Sequence, residues 1–212
     1  MGRPRWYGLV GGKLVSWSPG AEPKVLLNKA PGDKELSLND LAISAKGVLY
    51  FTTLKDPEKG RVTALNLKSG TAAVCFDAEQ HPELANPNGI AVSPDGKSLV
   101  IAVSNYKNRR RTGLYRFALL EDGTFDAAAG KKTKWASPNA PDGLAFGPDG
   151  NLYCTDGNLI RIYNGAGTEV NKVRIPQGSG TNLTFGGVDG RTLFVTTDKQ
   201  LYAGAWNDSG KK

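Results

Sequence analysis

A polar residue, a short strand, a glycine turn and a second strand recur four times along this chain. The fullest copy is Asn86-Pro87-Asn88-Gly89-Ile90-Ala91-Val92-Ser93-Pro94-Asp95-Gly96, followed by the apolar run Leu99-Val100-Ile101-Ala102. It returns as Ala140-Pro141-Asp142-Gly143-Leu144-Ala145-Phe146-Gly147-Pro148-Asp149-Gly150. Earlier it reads Leu38-Asn39-Asp40-Leu41-Ala42-Ile43, and later Thr181-Asn182-Leu183-Thr184-Phe185. Aligning the copies on their turns puts Asn39, Asn88, Asp142 and Asn182 at one position, separated by 49, 54 and 40 residues. A period of about 40–50 residues with several short strands per unit is that of a β-propeller blade. Equivalent positions then lie on a ring, so four amide or carboxylate side chains converge at one mouth of a central channel.

The reading is therefore all-β: a β-propeller of four-stranded antiparallel blades, about four of them, forming a partial or shortened ring. No low-complexity linker divides the chain, so residues 1–212 read as a single domain, incomplete at the N-terminus. Strands at Leu9–Trp17 and Lys24–Leu27 precede the first repeat phrase and read as the outer half of a blade. The chain thus begins on outer strands and ends on inner ones. Either the terminal inner strands pair with the N-terminal outer ones, or the ring is an open arc, because unpaired sheet edges invite pairing.

Composition narrows the function. No apolar run is long enough to cross a bilayer as a helix, and Met1–Tyr7 lacks the apolar core of a signal peptide. The formal charge of +7 comes largely from Arg3 and Arg5, Lys107 to Arg111, Lys131 to Lys134 and the Lys211-Lys212 tail. These read as solvated loops and a terminus, not as the organised patch that nucleic acid requires. Neither nucleic acid nor membrane is an expected partner. Cys75 and Cys154 sit within strand patterns as small buried residues and form no metal motif. With His81 as the single histidine, a histidine-rich zinc site is excluded. A Ser/His/Asp triad would have to use it, and no Gly-x-Ser-x-Gly turn accompanies it. Asp95, Asp149 and Asp189 fall in Asp-Gly hairpin turns and read as structural.

The phrases "SLNDLAISAKGVLYFTT", "NPNGIAVSPDGKSLVIAVSN", "APDGLAFGPDGNLYCTDGN" and "GTNLTFGGVDGRTLFVTT" resemble those of the SMP-30/gluconolactonase/LRE-like family, the regucalcin family. The resemblance runs from about Gly12 to Tyr202. It implies a blade-built ring of six, of which about two blades would lie beyond the N-terminus. It implies a divalent metal in the channel, calcium first and zinc second. Asn88 and Asp142 would be ligands, and Asp142 also the base that activates water against a small-molecule lactone. Asn39, with Asp40 beside it, would contact substrate or water. The family's further ligand is a Glu on an early inner strand. Here Glu22 and Glu35 both lie outside the repeat phrase. Oxygen donors suit a hard cation such as calcium, and this chemistry needs neither histidine nor cysteine. The rival reading is a non-catalytic propeller that binds a partner on its faces.

Overall fold

A computed structural model describes residues 5–31, 36–53, 60–105, 108–125 and 134–206. Arg3, Glu35, Lys107, Lys131, Lys132 and the Lys211-Lys212 tail lie outside the described residues. Among those described, the strands form five antiparallel sheets, each a simple meander. The first holds β1 (Trp6–Val10), β2 (Lys13–Trp17) and β3 (Lys24–Leu27). The second holds β4 (Leu38–Ile43), β5 (Val48–Thr53), β6 (Arg61–Asn66) and β7 (Ala72–Asp77). The third holds β8 (Pro87–Val92), β9 (Ser98–Val103) and β10 (Gly113–Ala118). The fourth holds β11 (Pro141–Phe146), β12 (Leu152–Asp156), β13 (Leu159–Tyr163) and β14 (Glu169–Arg174). The fifth holds β15 (Gly180–Gly186), β16 (Thr192–Thr197) and β17 (Leu201–Ala205).

The repeat phrase marks four of these sheets. The additional one is β1–β3, which carries no copy of the phrase. Of the two arrangements the sequence leaves open for the chain ends, the described strands adopt the arc. The strands β15–β17 and β1–β3 are separate sheets, and no ladder joins them.

Alternation along the second strand of each sheet builds the core, because successive side chains point to opposite faces. In β9, Leu99, Ile101 and Val103 pack against the second sheet with Tyr50, Val62 and Tyr115. The intervening Val100 and Ala102 pack the other way, with Leu144, Leu152 and Cys154. Every residue of β5 and of β9 is buried, since each lies between two neighbouring sheets. By contrast β14, the outer edge of the fourth sheet, is exposed throughout. Leu14 of β2 meets Leu49, Phe51 and Leu65 between the first and second sheets. Tyr153 seals the fourth against the fifth, edge-on to Phe185 at 4.8 Å and to Trp206 at 5.0 Å.

The Asp-Gly turns are structural. Asp95 accepts from the Ser93 hydroxyl and the Lys97 N–H, Asp149 from the Asn151 N–H and the Tyr153 hydroxyl, and Asp189 from the Arg191 N–H. The following Gly96 and Gly150 have φ of 67° and 76°, in the left-handed region that side chains disfavour. Both cysteines are free. Cys154 is fully buried and Cys75 partly so, and burial raises both thiols, Cys75 to about 11.

Candidate functional site

The four inner strands β4, β8, β11 and β15 lie side by side, and each is irregular near its start. The ladder shifts between Leu38 and Leu41, Pro87 and Ile90, Pro141 and Leu144, and Gly180 and Asn182. A bulge adds a residue to one strand and re-aims the side chains there. The polar residues of the repeat phrase occupy these bulges. Ladder register shows which of them correspond. Leu41, Ile90, Leu144 and Leu183 pair with Phe51, Ile101, Cys154 and Val195. Counting back two residues, the equivalents of Asn39 are Asn88, Asp142 and Thr181. Asn182 is instead the equivalent of Asp40, which corrects the alignment made on turns alone.

At the Asp40 position the third and fourth sheets carry Gly89 and Gly143. A Cβ on Gly89 would fall 2.0 Å from the Asp142 carbonyl oxygen, and one on Gly143 would fall 2.4 Å from the Asn182 Cα. Successive inner strands therefore abut at this level, and glycine is what permits it. In β4 the same position holds a carboxylate that binds the strands together. Asp40 accepts from the Leu41 N–H at 2.9 Å and reaches across to the Ile90 N–H at 3.1 Å. Asn182 donates to it at 3.3 Å, while its own side-chain oxygen accepts from the Leu183 N–H at 2.8 Å.

Asn88 and Asp142, on adjacent strands, are brought together. Asn88 is 8% exposed and its side chain bonds to the partly buried Asp142. The Asp142 carboxyl is pushed up to about 6, chiefly by burial. The Asn88 hydrogen bond opposes that rise, and the charge of Asp40 adds to it. Burial also raises Asp40, against the pull of the Ile90 and Leu41 N–H groups and the Asn182 amide. With its value near 6, the Asp142 carboxyl is a stronger base than an ordinary aspartate and is still mostly ionised at neutral pH. Asn39 is exposed on β4 at the position equivalent to Asn88. Asp40 and Asn182 line a cavity of about 280 Å³ together with Leu41, Leu144 and Leu183; Asn88 and Asp142 are not among the residues lining it.

Other residues hold this end of the strands in place. Asn86 is buried with φ 66°, which asparagine tolerates better than most side chains. Its amide donates to the Ser104 carbonyl, and the Ser104 hydroxyl donates to the carbonyl of Pro141, the residue before Asp142. Asp156 is buried and takes the Ala140 N–H at 2.6 Å and the Asn139 N–H at 3.3 Å. It is paired with Arg161, which also holds Glu169 at 2.6 Å. Asp156 thus fixes the approach to β11 and does not line the cavity. Asn105 accepts from the Asn108 N–H at 2.7 Å and shapes its own loop. Asn86 stands in the sequence phrase, but only its backbone conformation and its bond to Ser104 distinguish it. Nothing in the sequence marks Ser104.

For a hard divalent cation the donor types fit. An amide and a carboxylate stand together, and the carboxylate is raised by burial and by a second negative charge, which a cation would offset. In the arrangement present, both oxygens of Asp40 already accept backbone N–H groups. Among the described residues, no three His, Cys, Asp or Glu side chains cluster in a way that would hold a metal. Asn88 and Asp142 are the adjacent amide and carboxylate that this end of the strands offers.

Meander sheets whose inner strands lie side by side, each opening on an irregular polar start, define a β-propeller fold. The chain belongs to the SMP-30/Gluconolactonase/LRE-like family, whose region model matches residues 11–199. It is 30% identical over 151 residues to Lactonase drp35 of Staphylococcus saprophyticus, covering 67% of this chain and 43% of that one. It is 25% identical over 169 residues to Pentonolactonase XacC of Haloferax volcanii, covering 78% of this chain and 54% of that one. Its fold matches a gluconolactonase from Xanthomonas campestris with TM-score 0.73 at 22% identity, over 91% of this chain and 64% of that structure. The chain spans about half the length of the curated relatives it matches.

Proposed function

We propose that this chain carries the catalytic centre of a lactone hydrolase acting on sugar-type lactones. The observation that carries the proposal is the pairing of Asn88 with Asp142 in adjacent bulges, with the Asp142 carboxyl raised to about 6. The lactonases among its relatives support the same reaction class.

Asp142 is the general base. It takes a proton from water as the water oxygen bonds to the lactone carbonyl carbon. The ring C–O bond then breaks, the departing ring oxygen takes a proton, and a hydroxy acid leaves. Asn88 and Asp142 would hold a divalent cation, calcium in preference to zinc because both donors are hard oxygens. When bound, such an ion supplies polarisation of the carbonyl and stabilises developing negative charge. Asn39, exposed on the neighbouring inner strand, contacts substrate or water. Asp40 forms part of the wall of the adjoining cavity and holds β4, β8 and β15 at their working separation.

Proton release on adding glucono-1,5-lactone with calcium present tests this reading. Wild type should exceed the spontaneous rate at pH 7, and Asp142→Asn should fall by about 10²-fold or more, the scale expected of a lost general base. Hydrolysis no faster than background by a folded wild-type chain would contradict the proposal and favour the non-catalytic binding module.

A further inference from the structure

The described residues of the connection between β9 and β10, 104–105 and 108–112, lie at one end of their sheet. The connection leaves β9 at Val103, which pairs with Pro87, the residue before Asn88. Its first residue, Ser104, bonds to the carbonyl of Pro141, the residue before Asp142. The loop therefore stands at the same end of the strands as both candidate catalytic side chains. It is also locally braced. The Asn105 N–H donates to the Thr112 hydroxyl at 3.1 Å, and the Asn108 side chain accepts from the Arg110 N–H at 3.2 Å. The Arg111 guanidinium is anchored on the Pro82 carbonyl at 2.6 Å, and the Tyr115 hydroxyl donates to the Arg111 carbonyl at 2.8 Å.

Arg109 and Arg110 stand on this braced turn, exposed. Among the described residues neither guanidinium has an acidic partner within ion-pair distance. From Gly96 to Leu120 the sequence contains no Asp or Glu, so the segment is uniformly basic. Two exposed guanidinium groups thus stand at the end of the strands that carries the carboxylates Asp40 and Asp142.

We propose that Arg109 and Arg110 determine specificity for a lactone bearing an anionic group, such as a phosphate, sulfonate or carboxylate, remote from its carbonyl. This rests on the lactone-hydrolase reading above. The planar guanidinium fork matches two oxygens of such a group and keeps its charge at every working pH. The loop joins the second and third strands of its sheet, about 5–10 Å out from the inner strand at the usual strand spacing. A ligand with its carbonyl at Asp142 and its anion at the arginines spans that separation. The arginines also offset the repulsion that the two carboxylates exert on an anionic ligand, and they draw such ligands in by long-range attraction.

The test is the ratio of kcat/KM for 6-phosphogluconolactone to that for glucono-1,5-lactone, measured at low salt with calcium. Wild type should favour the phosphorylated lactone by tenfold or more. Arg109→Gln/Arg110→Gln should lower that ratio at least fivefold. Lys172→Gln/Arg174→Gln, which removes the same charge from the exposed strand β14, should leave the ratio unchanged. An equal ratio in wild type and the Arg109/Arg110 variant overturns the proposal while leaving the hydrolase reading intact, as does an equal fall in both double variants. If neither lactone is hydrolysed the hydrolase reading fails, and calorimetry with 6-phosphogluconate and gluconate decides the arginines separately. Tighter binding of the phosphorylated acid, lost in the Arg109/Arg110 variant, supports the anion site; equal binding overturns it.

Discussion

The Asn182 side-chain amide donates to the Asp40 carboxylate at 3.3 Å, although the two residues are 142 positions apart. Through this bond the last inner strand is tied to the first of the four. Asp40 also holds the Ile90 N–H, so one carboxylate links β4, β8 and β15. Removing the amide leaves a partly buried carboxylate short of a donor. Asn182→Ala should lower stability by about 1–3 kcal/mol, the range for a hydrogen bond to a charged group. Asn182→Asp should be worse, because it sets a second carboxylate against the first. Urea unfolding monitored by tryptophan fluorescence checks both. Equal midpoints for wild type and both variants would show that the tie contributes nothing.

Gly89 is required by contact, not by its backbone angle. A methyl group there would lie 2.0 Å from the Asp142 carbonyl oxygen, so β8 and β11 must separate to admit it. Gly89→Ala should cost about 2–4 kcal/mol, in the upper part of the single-substitution range, and should displace Asp142 with its strand. Activity should therefore fall even at temperatures where the variant remains folded. Thermal melts read beside lactone hydrolysis check this, and a variant equal to wild type in both would refute the close approach.

The raised Asp142 carboxyl has a consequence for stability in the metal-free protein. Its folded value of about 6 lies above the ordinary 3.8, so the folded state holds the proton more tightly than the unfolded one. The stabilisation linked to that proton is complete below about pH 4 and is lost as pH rises through 6. Asp142→Asn, neutral at every pH, should therefore be more stable than wild type above pH 7. The gain should be about 1 kcal/mol, since partial solvation reduces the full effect of the shift. It should vanish near pH 4. Denaturant midpoints at pH 4 and pH 7.5 in the presence of a chelator test the sign. A variant less stable than wild type at pH 7.5 would contradict it.

The fold was legible because the repeat phrase carries its own turns. Asp95-Gly96 and Asp149-Gly150 mark where each inner strand ends, and the alternation along Leu99–Val103 fixes which face meets which sheet. Asn39, Asn88 and Asp142 were legible as equivalents for the same reason. Turn spacing misplaces Asn182 by one position because the turn of the fifth sheet is one residue longer. Leu183 precedes Gly190 by seven residues, where Ile90 precedes Gly96 by six. Ladder register, not turn spacing, is what decides such an alignment. Ser104 and Asn86 act through bonds to backbone carbonyls, Ser104 reaching into the next sheet, and no spacing within one repeat exposes that. In sequence the first sheet reads as outer strands only, since it lacks the phrase that marks an inner one.

Calcium titration by calorimetry, on wild type and Asp142→Ala in parallel, tests most directly the claim that Asn88 and Asp142 form the chemical centre of this propeller. The account predicts saturable binding by wild type that is lost in the variant, with both chains retaining the same far-ultraviolet spectrum. Binding of equal strength in both, or none in either, would contradict it.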